Sequence, residues 1–442
     1  MASVFFLSLG CDKNLSDSEH MLKLLSDAGF SFTDREEEAD AAVINTCAFI
    51  GDAKKESIDE IFRLSSYKKT GRLRALVVAG CLAERYQKEL LSEIPEIDGA
   101  VGTSSWDRLP EVLAEALAGK RPSVFDEKER TPAGNGRIIT TGGHYGYLKI
   151  AEGCNKHCAY CVIPKIRGRY RSFPIEALLS EASGMVSGGV TELILVAQET
   201  TVYGVDLYGR KALPELLRRL SEIPDLHWIR LLYCYPEELT DELIETIRTN
   251  PKVLPYLDLP IQHSSDRILK AMRRSTTKKG LIRIIEKLRK KIPGIALRTT
   301  LITGFPGETE EDFQDLLEFV RTVRFDRLGV FPYSREENTE AYSMHPAVPL
   351  HVRKRRRNEI MRVQQQISKE RSASCVGQCL EVFVEGRLMN EDRVYTGRTY
   401  RDAPDVDGLV FFTSDCELES GRFVQVRITG SKEYDLIGEL CS

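Results

Sequence analysis

Cys154, Cys158 and Cys161 stand in the run Gly-Cys-Asn-Lys-His-Cys-Ala-Tyr-Cys, with three and then two residues between successive thiols. A short loop with that spacing can hold three corners of a 4Fe–4S cube and leave the fourth iron open to a substrate or cofactor. A zinc loop or simple burial is the alternative, but zinc sites favour Cys-x-x-Cys pairs and need a fourth ligand. Tyr160, next to the last thiol, is either a packed aromatic or a face for the adenine of a nucleoside cofactor near the open iron.

Cys11, Cys47 and Cys81 each end an apolar, strand-like run, over residues 4–9, 41–45 and 75–79. Thiols at such turns can meet at the carboxyl edge of one parallel sheet, where a second cluster with an open iron could form. Wide gaps carry little ligand information, so three buried cysteines at strand ends are the competing reading. Cys234, Cys375, Cys379, Cys416 and Cys441 read as bystanders, the spacing of the last four being too irregular for a zinc site.

The elements that must position these groups follow from the apolar pattern. Residues 1–135 alternate apolar runs with helical patterns over 17–28 and 53–64, predicting a Rossmann-like α/β domain with a small parallel sheet. A stretch rich in Gly, Thr and Pro then reads as a linker, with a boundary near 135–143. Residues 140–371 repeat a strand-helix unit six times, with strands predicted over 147–151, 192–197, 228–233, 256–260, 296–302 and 328–333. This pattern predicts a partial (β/α)6 barrel with its chemistry at the carboxyl ends of the strands. The three-cysteine loop follows the first of them. A polar helix over 353–371 leads to residues 372–442, whose short alternating runs over 380–385, 393–398, 409–413 and 422–429 predict a small all-β barrel.

Bulk composition narrows the class without naming a partner. A net charge of −4 on 442 residues implies no global pull toward nucleic acid or membrane. The first ten residues have no Lys or Arg before a short apolar run and read as a buried strand rather than a lipoprotein signal. No apolar stretch reaches the ~20 residues of a membrane span. An odd count of 11 cysteines favours reduced thiols, so the cytoplasm is the expected compartment.

Cys-x-x-x-Cys-x-x-Cys with an aromatic before the third Cys resembles the radical S-adenosylmethionine (SAM) superfamily. The segments around Cys11, Cys47 and Cys81 resemble the amino-terminal domain of its methylthiotransferases, and the tail resembles their TRAM domain. The resemblance spans essentially the whole chain. It implies two 4Fe–4S clusters, held by Cys154, Cys158 and Cys161 and by Cys11, Cys47 and Cys81, the second cluster carrying or supplying sulfur. SAM then serves as radical source and methyl donor, with an electron donor such as flavodoxin or ferredoxin. One group in the family modifies an adenosine of tRNA; the other acts on the β-carbon of an aspartate of the small-subunit ribosomal protein at the decoding centre, protein twelve. Residues 197–204, 258–266 and 397–408 resemble the second group, with Glu199 where that group is expected to carry Asp.

Side-chain charge tests the substrate independently. Residues 372–442 carry 13 acidic against 7 basic side chains, a net of −6, which suits a basic protein better than an RNA backbone. The run Arg353 to Arg357 is either a phosphate contact or the solvated face of a linking helix, so direct RNA contact is a secondary expectation. A non-catalytic iron-sulfur electron-transfer or RNA-binding protein is the reading from another class. At strand ends, Gln198 and Gln262 could bond polar parts of SAM, and Arg298 could pair with its carboxylate; each could equally be a satisfied barrel residue. Thr309 is expected to cap a helix. His263 reads as structural, and no residue is assigned as a catalytic acid or base because the radical takes the hydrogen.

Overall fold

Two of the apolar runs, Ala41–Thr46 and Ala75–Gly80, are buried along their whole length at the centre of a parallel sheet. Strands covered on both faces lose the apolar-polar alternation, which is why these segments read as continuous runs. The computed structural model describes residues 2–134 and 136–441. Its first sheet runs Ser31–Phe32, Ser3–Ser8, Ala41–Thr46, Ala75–Gly80, Gly99–Val101, Ser123–Val124, all parallel. The order of connection reverses between Ser3–Ser8 and Ala41–Thr46. A doubly wound sheet opens a crevice at the carboxyl ends of the strands at such a point.

The second sheet takes its six parallel strands in chain order: Tyr145–Lys149, Glu192–Val196, Trp228–Leu231, Val253–Asp258, Ala296–Thr303 and Arg327–Pro332. It is the open, partial (β/α)6 barrel that the six-fold pattern predicts. Amphipathic helices cover its outer face; in Leu213–Ser221, for example, Leu213, Leu216, Leu217 and Leu220 are buried in the core. Each such leucine contributes about 1.5–3 kcal/mol of burial. Helix Glu310–Val323 opens on a reciprocal capping box between Thr309 and Asp312, which satisfies backbone donors that would otherwise be orphaned.

The tail closes a five-stranded barrel of Cys379–Arg387, Val394–Arg398, Val410–Thr413, Leu436–Leu440 and Phe423–Ser431. Leu436–Leu440 lies outside the four strands predicted; it is short, contains Gly438 and pairs in parallel with Val410–Thr413. The sulfurs of Cys379 and Cys441, read from the sequence as bystanders, stand side by side. Residues 379 and 441 flank the same strand, Phe423–Ser431, a proximity that linear spacing hides.

This small barrel is docked on the inner face of the open sheet. Phe383 and Ala403 join Tyr147, Ile194, Trp228 and Tyr256 in one apolar cluster. Within it, Glu192 accepts from Arg230 at 2.7 Å and from Arg398 at 2.8 Å, and all three are buried. Part of the tail's charge, of both signs, is therefore internal. Asp402 accepts from Arg327 at 3.1 Å and Asp407 lies 3.5 Å from Arg298, both arginines belonging to the larger barrel.

The Gly- and Thr-rich segment expected as a linker is strapped down. Arg137 is ion-paired to Glu19 and donates to Glu181 at 2.8 Å, and Ile138 N–H donates to Glu19 O at 3.0 Å. It clamps helix Asp12–Asp27 to helix Ile175–Ser187.

Candidate active site

Cys154, Cys158 and Cys161 lie on the loop that leaves the first strand of the open barrel. Gly153 makes the entry: its φ is +78°, and a Cβ there would sit 2.2 Å from Arg169 O. Cys154 N–H donates to Gly168 O at 3.2 Å, and Cys161 N–H to Cys158 O at 3.0 Å. Ala159 N–H reaches Met272 O at 3.0 Å, anchoring the loop's middle. Burial pushes the Cys154 thiol up to about 12, with Glu199 and Cys158 adding to the effect. Burial likewise raises Cys161, and both other thiols push the same way. The three thiols thus share one anchored loop.

Around them stand the carboxyl ends of the neighbouring strands. Gln198 donates to Glu152 at 2.9 Å, while its own Oε1 is buried without a partner. Gln262, at φ +70°, is held by backbone bonds to Thr300 and Ile302. Tyr160 is half-buried and packs beside Ala159, Ile268, Met272 and Phe305. Arg274, which has no motif around it to single it out, is buried, stacks 4.1 Å from the Tyr235 ring and leaves its Nε without a partner. Burial pushes the Glu199 carboxyl up to about 7 against the pull of Lys156, 4.0 Å away. Orphaned donors and acceptors close to a buried thiol loop fit a small zwitterion with both amino and carboxylate groups. Arg298 is elsewhere: it is the third residue of its strand and faces Asp258 and Asp407.

Cys11, Cys47 and Cys81 converge at the carboxyl edge of the first sheet, and Cys11 and Cys47 flank its crevice. Cys11 is the N-cap of helix Asp12–Asp27 and Cys81 opens helix Cys81–Glu93. Helix N-termini favour thiolate and the negative charge of a cluster. Asn14 ties the strand ends together by donating to Leu9 O and Thr46 O, each at 2.9 Å. Ser57 fixes the Cys47 turn by bonding both its N–H and its C=O. Burial raises the Cys47 thiol to about 12, with Cys81 and Cys11 reinforcing it. Gly10, at φ +92°, forms a cradle: a Cβ there would lie 2.7 Å from Cys47 Cβ. Among the described residues no three Cys, His, Asp or Glu side chains crowd around one point as a single ion requires; a cube spreads its thiolates more widely than an ion does.

A buried ionic network runs from Cys81 to Glu152, two residues before Cys154. Arg167 donates to Asn14 at 2.7 Å, Asp17 at 2.6 Å and Glu152 at 3.0 Å, and its Nη2 lies 3.5 Å from Cys81 Sγ. Lys149 completes it, ion-paired to Asp17 and 2.8 Å from Glu152. Burial raises the Glu152 carboxyl, but Arg167 and Lys149 outweigh it and hold the group below the usual range. The two acids and two bases balance, as buried charges must.

The remaining candidates resolve as follows. Arg356 is buried against Glu308 at 2.7 Å, and Arg353 donates to Val348 O and Tyr333 O, so the basic run largely ties its helix to the barrel. Arg353 also packs where a Gly304 Cβ would be. His263 is fully buried, its Nδ1 accepting from Ser265 N–H at 3.0 Å. Cys375 is buried, Cys416 is exposed, and Cys234 is buried 3.3 Å from the Thr200 hydroxyl.

Comparison with known proteins places this geometry. Residues 3–102 match the model of the uncharacterized protein family UPF0004, residues 148–320 the radical SAM superfamily and residues 376–441 the TRAM domain. The chain is 56% identical to the ribosomal protein uS12 methylthiotransferase RimO of Lachnoclostridium phytofermentans, over 98% of this chain and 99% of that protein. It is 48% identical to the RimO of a Thermoanaerobacter species, over 99% of this chain and 100% of the relative. Among solved structures it shares a fold with the radical SAM methyltransferase TsrM of Kitasatospora setae, at a TM-score of 0.58 and 14% identity over 77% of this chain and 74% of that one. On the strength of its near full-length similarity to these enzymes, the chain belongs to the RimO family of ribosomal protein uS12 methylthiotransferases.

Proposed function

We propose that this protein is a radical SAM methylthiotransferase that adds a methylthio group to the β-carbon of an aspartate in the small-subunit ribosomal protein uS12. The observation that carries the reading is the pair of cysteine trios, one per α/β unit, in a chain similar throughout to RimO enzymes, with Arg167 running from Cys81 to Glu152. Enzymes of this family use SAM and two 4Fe–4S clusters.

Cys154, Cys158 and Cys161 would hold one cluster, and Cys11, Cys47 and Cys81 the other. When bound, these groups supply one-electron cleavage of SAM, a carbon radical able to abstract hydrogen, and the sulfur and methyl that enter the product. The chain's own residues bind, orient and shield. Gln198, Gln262 and Tyr160 are assigned to SAM, with Arg274 as a nearby cation. The buried walls around the first loop keep water from the reacting centre. Helix N-termini at Cys11 and Cys81 stabilise the negative charge of the second cluster. An electron donor such as flavodoxin or ferredoxin and a cytoplasmic setting complete the proposal.

The test is mass spectrometry of uS12 and of tRNA from cells with and without the gene. A methylthio increment on the uS12 aspartate, lost with the gene and restored by it, is expected. An increment lost from tRNA alone would overturn the substrate.

A further inference from the structure

Where the three units meet, a cavity of about 360 Å³ opens between the Cys11 turn, the inner face of the open sheet and the loop of the small barrel that carries Pro404, Asp405 and Val406. Neither the SAM contacts nor the network through Arg167 uses it. Cys11 forms one wall. Arg298 forms another and is the one cation among the described residues that line it.

The guanidinium of Arg298 has donors to spare. Its Nη1 bonds Asp258 Oδ1 at 2.8 Å, while Nε is 3.5 Å from Asp407 Oδ1, beyond a good hydrogen bond. Both acids have other partners: Asp258 Oδ2 accepts from Tyr233 N–H at 3.1 Å, and Asp407 Oδ2 accepts from the Tyr256 hydroxyl at 2.7 Å and Ala403 N–H at 2.9 Å. A guanidinium has five N–H donors in a planar fork suited to a carboxylate. A third carboxylate could engage it without orphaning either aspartate.

The mouth has the opposite character. Asp405 and Val406 are exposed there, while Asp12, deeper in the lining, is ion-paired to Lys13 at 2.9 Å. The Asp405 carboxylate repels a phosphate backbone and attracts a basic polypeptide.

We propose that this cavity receives the side chain to be modified, that Arg298 grips its carboxylate, and that the mouth at Asp405 admits a basic loop of the substrate protein. The inference rests on the function proposed above and deepens it. A carboxylate held on Arg298 leaves the adjoining carbon in the same cavity as Cys11, whose cluster is to supply the sulfur. Arg298 is thereby a substrate-positioning group rather than a contact for the SAM carboxylate.

The test is a binding cycle on the reconstituted holoenzyme with SAM present, using intact uS12 and the same protein with asparagine at the target position. Arg298→Gln should weaken the aspartate form by about tenfold to a hundredfold, while wild type and variant bind the asparagine form alike. Equal weakening of both forms, no weakening, or a parallel fall in SAM affinity would overturn the assignment. Val406→Arg lies at an exposed position and should raise KM for uS12 by charge repulsion; an unchanged KM also overturns it. A wild-type enzyme that modifies tRNA and leaves uS12 untouched defeats the underlying function, a result distinct from a failed cycle on an enzyme that does modify uS12.

Discussion

Arg167 stands with one guanidinium nitrogen 3.5 Å from the Cys81 sulfur and the other 3.0 Å from Glu152, whose far oxygen accepts from Gln198. One buried cation therefore touches a thiol proposed as a ligand of the second cluster and, through one carboxylate, a residue proposed to bind SAM. A hydrogen bond from a cation to a ligand sulfur stabilises the more negative, reduced state of a cluster. In a chain with Cys154, Cys158 and Cys161 changed to Ala, so that one cluster remains, Arg167→Lys should lower its potential measurably. Arg167→Met should lower it by about 50–100 mV, taking one tenfold change as about 59 mV for one electron. A potentiometric titration followed by electron paramagnetic resonance checks this, and equal potentials in all three chains would remove the sulfur contact from the account.

The Gly10 cradle separates the two clusters genetically. A methyl at Gly10 would meet Cys47 Cβ at 2.7 Å and its sulfur at 3.1 Å, on a backbone with φ of +92°. Gly10→Ala should abolish the second cluster, roughly halve the iron of the reconstituted protein and leave the spectrum of the first cluster intact. Gly29→Ala is the control, since Gly29 shares a positive φ of +85° with nothing within 4 Å of its Cβ. It isolates backbone strain of about 1 kcal/mol from collision with the ligand.

Loss of single cysteines should divide the reaction. Cys154→Ala, Cys158→Ala or Cys161→Ala should remove reductive SAM cleavage, measured as 5'-deoxyadenosine by chromatography. Cys11→Ala, Cys47→Ala or Cys81→Ala should stop methylthiolation of uS12 while 5'-deoxyadenosine still forms. Persistent cleavage after loss of Cys158 would detach the first loop from SAM.

The positions of the cysteines at strand ends and the layers themselves were legible because buried parallel strands carry unbroken apolar runs that stop where the turns begin. What joins the layers was not. Asp12, Lys13 and Asn14 look like loop residues before a helix expected from 17, yet they form its first turn; Asn14 and Asp17 are buried because Arg167, Lys149 and the strand ends satisfy them, and Lys13 because Asp12 and the Tyr233 ring do. Those partners lie more than 130 residues away for Asp17, beyond the reach of periodicity. The sign of the tail's charge was legible because the pairs that join it to the larger barrel cancel: Asp402 and Asp407 face Arg327 and Arg298, while Arg398 and Arg401 face Glu192 and Asp326. Arg274 carried no signal at all, since its value lies in stacking on Tyr235.

The strap between the two α/β units is also a pH-dependent element. Glu181 receives Arg137 at 2.8 Å and lies 3.5 Å from His20. Burial alone would raise its pKa, but His20 and Arg137 outweigh burial and hold it at about 2 against an ordinary 4.5. A carboxylate depressed in the folded state stabilises the fold above its unfolded pKa, and that contribution disappears as pH falls from 4.5 toward 2. The shift corresponds to about 3 kcal/mol. Glu181→Gln should therefore lower the thermal midpoint most clearly near pH 6, with the gap from wild type closing as pH falls below 4.5. Tm measured in a pH series for both proteins checks it. A gap that stays constant down to pH 2 would show that packing of the side chain, rather than its charge, holds the strap against helix Ile175–Ser187.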